Sequence, residues 1–397
     1  MYGLYIHIPF CTKICHYCDF FVDKNVSNID KYVNYLCKEI DLFFLSELNY
    51  KKYYKSELSS IYIGGGTPSL LSPNQLEKIV NKLNEKYLLS ENLEFSFESN
   101  PGSITYDNLI SYRQLGVNRI SIGVQSFNKQ ELGFLKRSHS PRGAIKAIEN
   151  AHKSGFDNIN LDLIFSIPEQ TLESWQYNLD MALSLNTHHI SAYSLMYEKG
   201  TPLYKDWKSG KVQKVSDDTD AKYYEYTINR NAENGFEQYE VSNFARDKKY
   251  CKHNLAAWNS GEYFAFGVSS HGNLGDYRFN NFSNLNKYYE KIDENLLPIE
   301  KNTQHNELAR LNERIFLSIR ATGLDLSRLQ NDYSITLAQI ETLFLNTKIA
   351  KLVNDGYIIQ ENIKENNIIS LTNKGYAICD SITFLFCELI ENIYLKK

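Results

Sequence analysis

The chain of 397 residues carries no surplus of positive charge: 43 lysines and arginines stand against 47 acids, for a net charge of −4. That removes the basic footprint on which nucleic-acid binding rests. No apolar run approaches the ~18 residues of a membrane span. The opening stretch, MYGLYIHIPF, lacks the charged segment and small-residue cleavage site of a secretory leader, so a cytoplasmic location is expected. An even cysteine set is also missing. Seven cysteines in a reducing compartment argue against a disulfide framework and for metal or reactive thiols. There is no internal repeat and no low-complexity segment. The one glycine-rich turn, GGGTP, is not followed by the GK[ST] of a phosphate-binding loop.

What is present is alternation. LYIHIPF, SIYIGGGTPS, LEFSFESNPGS, VNRISIGVQSF, NINLDLIFSIP and HHISAYSLM read as strands, with helical periods between them. Ser72 and Pro73 open one helix, and Gly116 closes another. About six βα units over residues 1–200 imply a parallel sheet covered by helices. The expected fold is α/β: a partial (βα)6 TIM-like barrel with an α+β, winged-helix-like C-terminal region. Polar or glycine clusters follow each strand at once, and a βα barrel collects such clusters at one mouth. Residues 236–283 read as irregular, and from 307 helices precede two apolar runs flanking NIKENN, a β-hairpin pattern. The expected divisions are a barrel over 1–210, a connecting region over 211–305 and a helical winged-helix-like domain over 306–397. The mixed charge of the wing points to a packing module rather than to nucleic acid.

FCTKICHYCDF places Cys11, Cys15 and Cys18 within eight residues. A structural zinc site wants four ligands, usually as two paired knuckles, and no second pair follows. His16 lies between two of the cysteines and is expected to point away. A four-iron cluster can be held by three thiolates with one iron open, which makes Cys11, Cys15 and Cys18 the expected metal ligands. Cys37, Cys379 and Cys387 lie in apolar helical patterns and read as core.

CxxxCxxC after the first strand of a βα half-barrel resembles the radical S-adenosylmethionine (SAM) superfamily. YIHIPFC, GGGTPS, ESNPGS, GVQSF, LDLIFSIPEQT and HNLAAW, in this order, resemble the oxygen-independent coproporphyrinogen III dehydrogenases and their relatives, the HemW-type heme chaperones. The resemblance implies that the methionyl amine and carboxylate of SAM occupy the open iron, and that an electron from the cluster cleaves the cofactor's carbon–sulfur bond. It implies a 4Fe-4S cluster, SAM and heme as cofactors. It carries cofactor contacts onto Tyr5, Gly65, Gly66, Thr67, Glu98, Gln125, Arg137 and Asp162, with Tyr17 covering the cluster or adenine. Arg137 offers a fork for the methionyl carboxylate.

Phe20 separates the two branches. The dehydrogenases resemble CxxxCxxCxC, with cysteine where this chain has Phe20; they also carry an extension before the first strand, which here begins almost at once. Both features point to the chaperone branch, with heme and recipient apo-hemoproteins as partners and no nucleic acid. The resemblance leaves room for a homodimer and for peripheral membrane association through the recipients. HNLAAW resembles the branch's HNxxYW, with Ala257 in place of tyrosine. His253 is the expected heme contact, Trp258 a packing partner, and Cys251 and His271 secondary candidates. The alternative is oxidative decarboxylation of coproporphyrinogen III.

Overall fold

The computed structural model describes residues 1–45, 50–344, 347–359 and 367–396. Six strands, β1 (Tyr2–Ile8), β2 (Glu57–Gly65), β3 (Leu88–Ser99), β4 (Arg119–Gln125), β5 (Ile159–Phe165) and β6 (His189–Ser194), pair in chain order and all in parallel. β4, RISIGVQ, is buried at every position, as a parallel strand covered on both faces must be. The connecting helices start where local chemistry dictates. Ser72 forms a capping box with Gln75, with Pro73 at the first helical position. Thr105, Ser140 and Thr171 cap three more helices with their side-chain oxygens. The helix Ile29–Leu45 buries Ile29, Tyr32, Val33, Leu36, Cys37, Ile40, Phe43 and Phe44 along one stripe against the sheet. The α/β barrel fold is therefore as the alternation implied.

Residues 236–283 are not irregular. They contain five short strands: β7 (Glu237–Gln238), β8 (Asn243–Ala245), β9 (Tyr263–Phe266), β10 (His271–Leu274) and β11 (Tyr277–Asn281). β8 pairs antiparallel with β6, and β9 pairs in parallel with β1, so both edges of the six-stranded array are covered. With β12 (Ile299–Gln304) they complete a twelve-stranded sheet. Segments of two to five residues rich in Asn and Gly show no legible alternation. The two that extend the barrel sheet, β8 and β9, find their partners β6 and β1 far away in the chain.

Apolar packing forms one large cluster between Leu4 and Ile292 and a second between Leu311 and Ile390. The second is built on the helices Glu307–Ile319, Leu326–Tyr333 and Cys379–Tyr394, with Cys379 in its core. In the expected wing, Ile358 bridges Leu371 in antiparallel fashion and Ile368–Ile369 pairs with Leu324–Asp325. Of NIKENN, the stretch expected to turn that hairpin, residues 362–366 lie outside the described residues. Among the described residues, no helix is long and apolar enough to cross a membrane.

Candidate functional site

The loop after β1 is pinned at its base. Cys11 N–H donates to Asp23 O at 3.0 Å, and Asp23 N–H to Pro9 O at 2.6 Å. Its middle is tied down by His16, whose ring bonds Asp206 at 2.8 Å and packs on Phe134. His16 is thus turned away from the cysteines, as its place between them suggested. Gly65 sits at φ +111, and a Cβ there would stand 2.6 Å from the His7 ring. A Cβ on Gly66 would stand 2.9 Å from the backbone of Pro9 and Phe10. The glycines are therefore required first by the chain's own packing, of His7 on β1 and of the start of the cysteine loop on the turn after β2, rather than by an approaching ligand.

The strands' C-terminal ends surround a cavity of about 590 Å³, within the usual range for small-molecule sites. Cys11, Cys15, Cys18, Tyr17, Gly65, Gly66, Thr67, Glu98, Gln125, Arg137 and Asp162 all line it. Two expected residues do not. Tyr5 donates its hydroxyl to His7 Nδ1 at 3.0 Å, while His7 Nε2 donates to Phe21 O at 3.1 Å. Tyr5 thereby steadies the far end of the cysteine loop.

His253 is the other. It is 8% exposed, its Nδ1 lies 3.0 Å from Ser60 Oγ, and its ring lies among those of Tyr5, Tyr62 and Tyr263. Burial lowers its pKa to about 4, so the ring is neutral. An apolar, hydrogen-bonded niche near the start of β1 and β2 does not present this imidazole to a heme. The neighbour Asn254 lines the cavity instead. The Trp258 side chain bonds to the buried Glu240. Cys251 is buried, with its thiol pushed up to about 12, and His271 is exposed on β10; neither lines the cavity.

Around the cysteines the polar contacts are specific. Thr67 Oγ1 lies 3.3 Å from Cys11 Sγ and accepts from Asn100 Nδ2 at 2.8 Å. Arg137 donates to Cys15 Sγ at 3.4 Å, to Gly123 O at 2.6 Å and to Asn100 Oδ1. Its Nε is buried without a partner. Burial pushes the thiols of Cys11 and Cys18 up, the latter to about 11, so loading metal must displace protons.

Glu98 accepts from Tyr62 O–H at 2.7 Å and from Gly65 N–H at 3.0 Å, yet burial still lifts its pKa to about 7. Asp162 accepts from Asn160 Nδ2 at 2.7 Å and Ser121 Oγ at 3.1 Å, and burial raises its pKa too. Gln125 ends β4 at φ +64, where the register to β5 slips. A non-glycine residue held there is strained, and such strain clusters at functional sites.

Sequence reasoning missed Asn100, which joins Thr67 to Arg137, and Arg119, 2% exposed on the cavity wall. It also missed Glu94. Its carboxylate accepts from the backbone N–H of Lys252 and His253, at 2.9 and 3.2 Å, and so caps the HNLAAW helix. Asn100 could have been found within ESNPGS; Arg119 and Glu94 carry no local signal.

Three free thiols on one cavity, with a cation and a hydroxyl against two of them, fit an iron–sulfur cluster. Among the described residues, no three His, Cys, Asp or Glu side chains are gathered as a single metal ion would need.

The radical SAM superfamily model matches residues 5–182. The heme chaperone HemW of Bacillus subtilis is 36% identical over 342 residues, 85% of this chain and 88% of that protein. The heme chaperone HemW of Lactococcus lactis is 32% identical over 383 residues, 95% of each. The chain belongs to the HemW family. The coproporphyrinogen III oxidase of Escherichia coli, a radical SAM enzyme, superposes with a TM-score of 0.80 at 24% identity over 97% of this chain and 89% of that one. That likeness shows the fold. Within the HemW-family chain, the superfamily match runs from β1 into the helix Leu172–Ser184 that joins β5 to β6, and contains all three cysteines of the loop.

Proposed function

We propose that this chain binds heme and passes it to recipient apo-hemoproteins, and that it carries a SAM-ligated 4Fe-4S cluster on Cys11, Cys15 and Cys18. The observation that carries the reading is Phe20. Where the dehydrogenase branch has a further cysteine, a phenyl ring stands 64% exposed on the rim of the cluster cavity. The extensive identity to heme chaperones supports the same choice over coproporphyrinogen decarboxylation.

When bound, the cluster supplies an open iron for the methionyl group and an electron for SAM. The chain's own residues do the rest. Asp162, Glu98 and Gln125, at or near strand ends around one cavity, offer acceptors to a cationic, hydroxyl-rich cofactor. Arg137 compensates thiolate charge at Cys15 and keeps an unpaired Nε for a carboxylate. Thr67 and Asn100 hold that arrangement rigid. Tyr17 packs with Leu135, Ile164 and Leu195 beside the cysteines and shields them from water.

The test is to add heme, or coproporphyrinogen III with reductant and SAM, to anaerobically reconstituted protein. Heme bound and then delivered to an apo-hemoprotein, with no decarboxylated porphyrinogen, is the expected result. Steady decarboxylation would overturn it.

A further inference from the structure

The burial of His253 leaves the heme contact to be found elsewhere, and the rim of the cavity offers one. Ile14, Phe20, Tyr193 and Met196 all line this cavity, and their exposures are 37%, 64%, 41% and 65%. Large apolar side chains are scattered singly over most protein surfaces. Here four of them ring the mouth of one cavity, the pattern of a surface awaiting a partner. The four come from two segments, the cysteine loop and the end of β6, brought together by the barrel.

We propose that this collar is the heme site: the macrocycle lies across the mouth, and the Met196 thioether ligates its iron. This rests on the chaperone reading above. A flat, apolar ring with charged propionates at one edge matches an apolar collar whose rim cation is Lys13. Asp19 and Glu198, also on the rim, repel carboxylates and direct the propionate edge toward Lys13 or solvent. Methionine is an established axial ligand of heme iron, and a flexible thioether suits an adaptable surface. Tyr193 stands near the Asp162 carboxylate, which disfavours a phenolate, and packs as a ring rather than as a ligand. An exposed ligand on an open collar also fits release. The cargo can be approached by an apo-hemoprotein without opening the barrel, whereas a heme on His253 would require breaking the Ser60 bond and parting three aromatic rings. The deeper cavity, with Asp162, Glu98 and Arg137, stays available to SAM beneath it.

The test uses the full chain with its cluster reconstituted, titrated with hemin and read by resonance Raman and magnetic circular dichroism. Met196→Leu keeps apolar volume and removes the sulfur; Phe20→Ser removes a large part of the collar. Met196→Leu should abolish the thioether-to-iron charge-transfer band. Phe20→Ser should weaken binding by about tenfold, from the apolar area lost. His253→Ala should leave both unchanged. Iron and sulfide contents, measured in each variant, establish that the loop is intact. Wild-type heme spectra and affinity in Met196→Leu and Phe20→Ser would overturn the collar. A change in His253→Ala alone would overturn it in favour of the buried histidine. Absence of heme binding by the unaltered protein would overturn the chaperone reading itself, and the collar with it.

Discussion

Replacing Arg137 distinguishes a cofactor ligand from a cation that belongs to the cluster. A residue that met only SAM would lose affinity and leave the iron content alone. Arg137 instead bonds Cys15 Sγ at 3.4 Å, Gly123 O at 2.6 Å and Asn100 Oδ1. In Arg137→Ala the carbonyls of Gly123 and Asn100 lose a donor, at about 1–3 kcal/mol for each group left buried and unsatisfied. A unit charge 3.4 Å from a thiolate sulfur interacts by roughly 5 kcal/mol at an effective dielectric of about 20. If a quarter of that survives delocalisation over the cluster and screening, the one-electron reduction potential moves by about 50 mV. The sign is negative, because removing a cation disfavours taking up an electron. Iron and sulfide analysis after anaerobic reconstitution and a redox titration followed by electron paramagnetic resonance measure both effects. Arg137→Ala is expected to load incompletely and to reduce at lower potential. Asp162→Asn, which touches no cysteine, should keep a full cluster and weaken SAM binding by about 10- to 100-fold. A full, equipotential cluster in Arg137→Ala would refute the assignment of its charge to the thiolates.

Three further outcomes are expected. Burial holds the Glu98 pKa at about 7, so its carboxylate form, the better acceptor for ribose hydroxyls and the better partner for a sulfonium, predominates only above that value. SAM affinity measured by calorimetry should therefore rise as pH increases through about 7, and Glu98→Gln should flatten the profile; an unaltered profile in the variant would assign the titration elsewhere. Gly65→Ala combines φ +111 with a Cβ 2.6 Å from His7 and should lower the melting temperature by the equivalent of more than about 2 kcal/mol. Gly102→Ala, with nothing within 4 Å, should not, and equal melting of the two would contradict the packing argument. Alanine at Cys11, Cys15 or Cys18 should abolish four-iron loading, whereas alanine at the buried Cys37 or Cys379 should leave it intact; a full cluster in Cys15→Ala would sink the ligand set.

The barrel was legible in the sequence because its signals are local. Six apolar runs, each followed by a helical period, with Ser or Thr caps on the helices that follow β2, β3, β4 and β5, encode a βα succession without knowledge of any distant contact. The cysteine spacing was legible for the same reason: eight consecutive residues specify how many thiolates a loop can present. Gln125, Glu98 and Asp162 could be nominated because strand ends in such a barrel converge, and they do line one cavity.

What only the tertiary structure decided depends on residues far apart in the chain. The edge strands β8 and β9 exist because β6 and β1 leave unpaired backbone for them, 52 and 260 residues distant at the pairs Ser191–Asn243 and Leu4–Phe264. Arg137 reads in sequence as a fork awaiting a carboxylate, but folding brings Cys15, Asn100 and Gly123 to it first. His253 reads in sequence as a heme contact, because HNLAAW resembles HNxxYW. Its helix is capped by Glu94 from β3, and its imidazole is bonded to Ser60 from β2. A motif states which groups a segment carries; which of them face a ligand and which face the protein is settled by the elements that pack against it.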